Sequence, residues 1–374
     1  MTMQGIGCLH MFKSGGMISN KISVCLVTCY TDPNYVRVKT LEAGFMANDG
    51  VRLSIVRNRQ HGVLRYAEVI LKLIRIRLLV NPNIYFLTFR GYEILPFVLL
   101  IGIGKKVIFD EFINLIEWIA YEHKKIQPNS IAGRSLFVSY KFLLRKASKI
   151  ITDTNSHASY SAELMGLPIE KYEAIPVGAD ERVFKRLKQA RGDSNKFIVL
   201  YYGSMLPLHG VEHVIEAAIG IDNQNIEFLI IGGNDSVGAD IETAVLKGAN
   251  IKYKKWVPYN DLPRVIASSD VCLGGPFGNT VQSQSVVTGK TIQFLRMGKP
   301  VIVGKNKESN IFDDKVNALI VDQADSKSLR DAIVWSYKNQ DSLNKIGKNC
   351  LKLYDAYFSS NVIKDDITRL LNSI

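Results

Sequence analysis

Lys290 and Gln293 stand three positions apart in VVTGKTIQFLRMGKPVIVGK (286–305). That segment reads as a helix running into a buried strand, and residues three apart share one helix face. A lysine in a first helical turn sits against the positive end of the helix dipole, so it is unfavourable there unless an anion lies close. A solvated lysine is the bland alternative. A second segment, YYGSMLPLHGVEHVIEAA (201–218), ends a strand at Gly203 and opens a helix at Gly210, with Val211, Val214, Ile215 and Ala218 on one face. Free N–H groups at such a helix start suit a diphosphate, and Gly203 and Gly210 let backbone approach it closely. A third segment, VCLGGPFGNT (271–280), again runs from a strand into a glycine-rich loop that holds Phe277 and Gly278. In the N-terminal half Asp110 and Glu111 end the strand KVIFDEF (106–112) toward the expected cleft, where an acid reads first as a helix cap.

Several other chemistries are excluded. Gly102-x-Gly104 follows a helix and precedes a strand, the reverse of a dinucleotide fingerprint, and reads as a helix end. No Walker sequence, GxSxG, HExxH or Asp-x-Asp occurs. The five cysteines form no CxxC pair and no zinc-spaced Cys/His cluster. Cys25 and Cys29 lie in an apolar run and read as small core residues. Neither a metal nor an organic cofactor is expected.

The elements that must position these residues alternate along the chain. KISVCLVTC (21–29), VRLSIVR (51–57), NIYFLTF (83–89), KVIFDEF and KIITDT (149–154) read as buried strands separated by helical patterns at 35–48, 63–79, 92–103, 113–126, 134–147 and 155–165. A charged stretch, DERVFKRLKQARGDSN (180–195), interrupts the rhythm. It restarts with strands at 196–203, 226–233, 251–257, 270–275, 299–304 and 318–322, with helices between them and a last helix at 358–374. Alternation of this kind implies parallel sheets covered on both faces. Two such series predict an α/β chain of two Rossmann-like domains with a ligand in the cleft between them. The expected division is a leader at 1–20, an N-terminal domain at 21–185, a C-terminal domain at 195–355 and a helix at 356–374 that returns to the N-terminal domain.

Charge separates the halves. The chain of 374 residues carries a net +12, and residues 17–188 hold 25 Lys and Arg against 15 Asp and Glu, whereas residues 189–374 hold 21 against 20. Such a field attracts an anionic substrate or membrane surface. Nucleic acid is not expected, because no basic block with interleaved aromatics and no nucleic-acid module is present. The first twenty residues lack the apolar core of a signal peptide. The most apolar stretch, ILPFVLLIGI (94–103), is half the length a bilayer requires. LRYAEVILKLIRIRLLV (64–80) and SYKFLLRKASK (139–149) mix basic and aliphatic residues, which predicts a cytoplasmic protein peripheral to the membrane; a core helix with a solvated basic edge is the alternative.

GSMLPLHGVEHVIEA, WVPYNDLPRVIASSDVCLGGPFG (256–278) and GKTIQFLRMGKPVIVG together resemble the C-terminal domain of retaining family 4 glycosyltransferases, which have the GT-B fold. KIITDTNSHASYSAELMGLPIEKYEAIPVGADERVF (149–184) resembles the end of that family's N-terminal domain. The resemblance implies a nucleotide-sugar donor held by the C-terminal domain and a glycan or lipid-linked acceptor held by the N-terminal one, without a metal. Where relatives place Arg and Lys in the first loop this chain has Ser204 and His209, and His209 can equally be a surface polar residue. Of the two glutamates usual in the third segment, Gln293 takes the place of the second, beside the ribose, and Ser285 that of the first. A branch with Lys-x-x-Gln or Lys-x-x-Glu fits better and gives Lys290 the diphosphate. Trp256-Val257-Pro258 resembles the nucleobase-side turn, with Trp256 as ordinary core the alternative. Asp110 and Glu111 resemble the acceptor side. Arg37, near Asp32 and Asn34, lies where relatives have a glycine-rich turn toward the donor.

The expected activity is therefore retaining sugar transfer from a nucleoside diphosphate donor, in cell-surface polysaccharide synthesis. A nucleotide-sugar epimerase of the same fold and a non-catalytic relative are the rivals.

Overall fold

The structure, a computed structural model, describes residues 21–187 and 196–374. The expected leader, residues 1–20, and part of the charged stretch, 188–195, lie outside the described residues. The first half runs β1 (Ile22–Thr28), α1 (Val36–Met46), β2 (Val51–Arg57), α2 (Leu64–Leu79), β3 (Ile84–Leu87), α3 (Leu95–Ile101), β4 (Lys106–Asp110), α4 (Ile131–Lys146), β5 (Lys149–Thr152), α5 (Asn155–Met165) and β6 (Tyr172–Ala174). Its six strands are all parallel, in the order β2-β1-β3-β4-β5-β6. The apolar runs serve both faces because side chains alternate along a strand. Cys25 and Val27 of β1 face α2, α3 and α4, whereas Val24 and Leu26 face α1 and the last helix. Both cysteines are buried free thiols, and burial pushes Cys25 up to about 12.

The second half runs β7 (Phe197–Gly203), α6 (Val211–Ile219), β8 (Ile226–Gly232), α7 (Asp235–Leu246), β9 (Ile251–Lys254), α8 (Leu262–Ser268), β10 (Val271–Leu273), α9 (Gly289–Arg296), β11 (Val301–Gly304), β12 (Leu319–Val321), α10 (Ser326–Lys338), α11 (Gln340–Tyr357) and α12 (Ser360–Asn372). The sheet order is β12-β11-β10-β7-β8-β9, again all parallel. These are the two Rossmann-like units that the strand–helix alternation predicts.

Three elements depart from the sequence reading. β6 is three residues long and carries Glu173, too short and polar for an apolar run to reveal. The helix expected at 113–126 is shorter, with Leu115 and Ile116 α-helical and the π-helical segment Glu117–Glu122 following them. The whole of α11, eighteen residues, was not anticipated, although Leu343, Ile346, Cys350, Leu353 and Tyr354 form its buried face against α9.

The C-terminal helix crosses back. Ile363, Ile367, Leu370 and Leu371 of α12 join the core under β1 and β3. Gly44 of α1 allows this contact, since a Cβ there would meet Ile367 Cδ1 at 2.7 Å. The two chain crossings between the halves are tied together by Glu181, whose carboxylate accepts from Tyr354 Oη at 2.8 Å and from Ser360 N at 3.0 Å. Among the described residues no helix is long and apolar enough to cross a membrane.

Candidate functional site

In each sheet one pair of neighbouring strands sends its connections in opposite directions, which leaves a crevice at the carboxyl ends of that pair. In the second sheet the pair is β7 and β10, so the crevice lies between residues 203–210 and 274–278. Their backbones are in close contact. Gly278 N donates to Leu208 O at 3.0 Å, and Tyr201 Oη donates to His209 O at 2.9 Å. Gly210 has φ of +61°, and a Cβ there would collide with Phe277 and Gly278 backbone atoms. Only glycine meets both conditions without strain. α6 starts immediately after Gly210 with no side-chain cap; His213 N donates back to Gly210 O at 3.2 Å, and the N–H groups of Val211 and Glu212 stand at the open helix start.

Lys290 reaches the same place from α9. Thr288 caps that helix, accepting from Thr291 N while donating to Gly274 O at 2.8 Å. Lys290 is only 6% exposed, and its Nζ sits 4.0 Å from the centroid of the Tyr201 ring with no hydrogen-bond partner. A Cβ on Gly203 would lie 3.5 Å from His209 Nδ1 and 3.9 Å from Lys290 Nζ, so the three residues converge. His209 Nδ1 is likewise buried and unpartnered. Burial lowers Lys290 to about 7. Burial, then the Lys290 charge, lowers His209 to about 2, so its imidazole is neutral. Folded proteins rarely leave buried polar atoms unpaired, and two in one crevice mark a place made for a third party.

The remaining donor-side candidates spread out. Gln293 is buried, and its Oε1 accepts a hydrogen bond from Tyr202 Oη, so contact with a ribose falls to its amide nitrogen. Lys290 and Gln293 thus meet successive tyrosines of β7 rather than one common partner. Ser204 is exposed beside the crevice. Val257 is half-buried and Pro258 exposed, following β9 at the sheet's far edge. Trp256 is not core, being 73% exposed. Phe277 is a correction: its ring is buried against Tyr201, so at most its backbone reaches the crevice.

Three N-terminal candidates are also corrected. Arg37 is fully buried. It pairs with Asp110 (Nη2 to Oδ1, 2.8 Å) and donates through Nη1 to the carbonyls of Ile175 and Pro176. With these donors spent inside the fold, Arg37 cannot turn to a donor phosphate, and Asp110 cannot serve an acceptor. Glu111 is equally enclosed, accepting from Ser161 Oγ, from Tyr140 Oη at 2.5 Å and from Asn114 Nδ2 at 3.2 Å. Burial pushes its carboxyl up against those bonds.

The crevice of the first sheet, between β1 and β3, holds what sequence reasoning missed. Tyr30, Phe89 and Phe112 each lie two residues beyond the end of β1, β3 or β4. Tyr35 stacks on Phe89 at 4.9 Å, and Tyr30 and Phe112 meet the Phe89 ring edge-on at 5.1 and 5.0 Å. The Arg90 guanidinium covers Trp118 at 4.5 Å and Tyr30 at 5.6 Å. The repeated offset past three strand ends was the available signal. Beside it, Asp153 Oδ1 holds His157 Nδ1 at 2.7 Å, and Nε2 is buried without a partner. Burial disfavours the His157 cation, but the Asp153 hydrogen bond and neighbouring carboxylates outweigh it and raise the pKa.

The two crevices face each other. Val36 and Phe112 pack against a core cluster that joins Val177 and Ala179 to the second half, Thr154 Oγ1 donates to Ser285 O at 2.6 Å, and Ser156 N donates to Glu308 Oε1 at 3.0 Å. Among the described residues no three His, Cys, Asp or Glu side chains gather as a metal site.

Residues 196–339 match the family described as Glycosyl transferases group 1. The Anabaena protein HepE, in a crystal structure with UDP-glucose, superposes with a TM-score of 0.70 at 12% identity, covering 94% of this chain and 100% of that one. Sucrose-phosphate synthase from Thermosynechococcus elongatus gives 0.71 at 14%, covering 94% and 98%. A glycosyltransferase from Rickettsia africae gives 0.67 at 13%, again covering 94% and 98%. At these identities the likeness speaks for the fold. No curated protein matches the chain in sequence. Residues 196–339 are therefore similar to a group 1 glycosyltransferase domain, and the two six-stranded sheets of the chain have the GT-B arrangement.

Proposed function

We propose that the protein transfers a sugar, with retention of configuration, from a nucleoside diphosphate donor to a glycan or lipid-linked acceptor in cell-surface polysaccharide synthesis. Residues 195–355 act as the donor half and residues 21–185 as the acceptor half. One observation carries the reading: Lys290 is a buried amine with no hydrogen-bond partner, beside an uncapped helix start. The leaving group is a nucleoside diphosphate, so the site needs positive charge and N–H donors where negative charge develops. Lys290 and the first turn of α6 supply both. That makes a metal unnecessary, and turnover should persist in a chelator. HepE, whose structure contains UDP-glucose, supports a uridine donor.

Neutral His209 donates or accepts at a phosphate or sugar oxygen without adding charge. Ser204 and Gly203 border the diphosphate, and Val257 and Pro258 border the base. Gln293 offers its amide nitrogen to the ribose. The aromatic cluster around Phe89 borders the acceptor side, where the half-buried Tyr30, Tyr35 and Phe112 rings would meet sugar or prenyl carbon surfaces. The cytoplasmic face of the membrane is where a soluble donor and a lipid-linked acceptor meet.

The test is incubation of the protein with a panel of sugar nucleotides. Slow release of free sugar and nucleoside diphosphate supports a transferase. An isomeric sugar nucleotide assigns an epimerase instead, and an unchanged donor that also fails to bind assigns a non-catalytic relative. Full loss of turnover in EDTA, restored by magnesium, would overturn the metal-free diphosphate site.

A further inference from the structure

The outer surface of the N-terminal domain is apolar where a freely dissolved domain is polar. α2, α3 and α4 form one layer over the sheet, with α3 touching both its neighbours. Their inward faces are core, as expected. Their outward faces mix exposed aliphatic side chains with basic ones. On α2, Leu71 and Leu78 stand two turns apart on one stripe and are 67% and 78% exposed. On α4, Ile131 and Val138 repeat that spacing at 91% and 65% exposed. Phe97 and Leu100 of α3 fill the space between. A contiguous exposed apolar patch of this kind marks an interaction surface.

Charge identifies the partner. α3 and α4 contain no acidic residue at all, and the single acid of α2, Glu68, is paired with Lys72 at 2.6 Å. Arg75, Arg134, Arg145 and Lys146 are exposed on the same helices. Aliphatic side chains interspersed with exposed cations suit a surface that is oily beneath and anionic on top. A protein partner would have to match both an extended apolar face and a one-signed rim. We infer that the outer face of α2, α3 and α4 docks on an anionic phospholipid bilayer, with the leucine, isoleucine and phenylalanine side chains entering the acyl boundary. This names a partner for the transfer proposed above but rests on different residues, so vesicle binding and donor turnover can fail separately.

The experiment is flotation of the full chain with vesicles of phosphatidylcholine, with and without 30% phosphatidylglycerol. Binding should require the anionic lipid and fall about tenfold or more between 0.1 and 0.5 M salt, as the screening length shrinks from about 10 Å toward 3 Å. Leu71→Glu with Leu78→Glu should reduce binding at least as much, and Arg134→Glu with Arg145→Glu should remove the lipid-charge dependence. Because all four side chains are exposed, the variants should keep wild-type nucleoside diphosphate affinity, which also reports that they have folded. Absence of binding to anionic vesicles overturns the inference, as does equal binding to neutral ones. A dimer in solution that dissociates on Leu71→Glu with Leu78→Glu would reassign the face to a second copy of this chain and equally overturn it.

Discussion

The two crevices occupy equivalent places in two similar sheets, yet their chemistry is opposite. Between β7 and β10 the chain supplies glycine, an uncapped helix start, a lysine and a neutral histidine, with backbone packed on backbone. Between β1 and β3 it supplies four aromatic rings and an arginine stacked on two of its neighbours. The first arrangement suits concentrated negative charge, and the second suits an extended, weakly polar surface. The fully buried charge pair of the first half, Arg37–Asp110, is sealed inside as scaffold. Equivalent topology thus fixes where a ligand sits, while the residues just past the strand ends decide what kind.

This contrast can be broken at its scaffold first. Arg37→Met leaves Asp110 buried without its partner, which should cost about 3–5 kcal/mol. For a domain of this size that lowers the melting temperature by roughly 6–20 °C. Nucleoside diphosphate affinity of the folded protein should stay within about twofold. A large loss of affinity with normal stability would return Arg37 to the donor site.

Lys290→Ala should weaken nucleoside diphosphates by roughly 10- to 150-fold, from a charge-assisted hydrogen bond of about 1.5–3 kcal/mol. Turnover should fall further still, because the departing phosphate carries more charge than the bound donor. Isothermal titration and donor turnover measure the two losses. Gln293→Ala should weaken nucleotides but spare inorganic pyrophosphate, and Gln293→Glu should be tolerated.

Proton linkage sharpens the same point. Lys290 is lowered from 10.5 to about 7 in the folded chain, so between those values the unfolded chain holds a proton that the folded one lacks. Stability contributed by this group therefore rises with pH across that window, and Lys290→Met should flatten the rise in a denaturation series. A bound diphosphate restores the charge. Binding at pH 8 should take up close to one proton and at pH 6 almost none, measured as the dependence of binding heat on the buffer's ionisation enthalpy.

The smallest effect is expected on the aromatic side. Tyr35→Ala removes one stacked ring, at about 0.5–1.5 kcal/mol, so acceptor KM should rise about 2- to 10-fold with donor affinity unchanged. A matching loss of donor affinity would mean that both crevices hold the donor.

The sequence made the sheets legible because buried parallel strands are uninterrupted apolar runs, and those runs are long in β1, β7 and β8. It failed at β6, where three residues carry no periodic signal. The crevice between β7 and β10 was partly legible. Glycines that must adopt positive φ and a lysine in a first helical turn are local oddities, visible without coordinates. Arg37, Asp110 and Glu111 misled because a charged residue near a strand end looks alike whether it faces a cleft or a buried partner. Only the fold brings Arg37 to Asp110, 73 positions away, or Ser161 to Glu111, 50 positions away. The aromatic floor is the reverse case, built from residues that are unremarkable singly and meaningful only when three loops converge.

The return of α12 has a consequence for the order of synthesis. Val24, Leu26 and Phe86 lie in a core whose other wall is Ile363, Ile367 and Leu370. The N-terminal domain therefore lacks one wall until residues 360–372 emerge from the ribosome. Until then its sheet keeps an apolar face open, and a nascent chain stalled near residue 355 should be held by chaperones, whereas one extended through α12 should be freed.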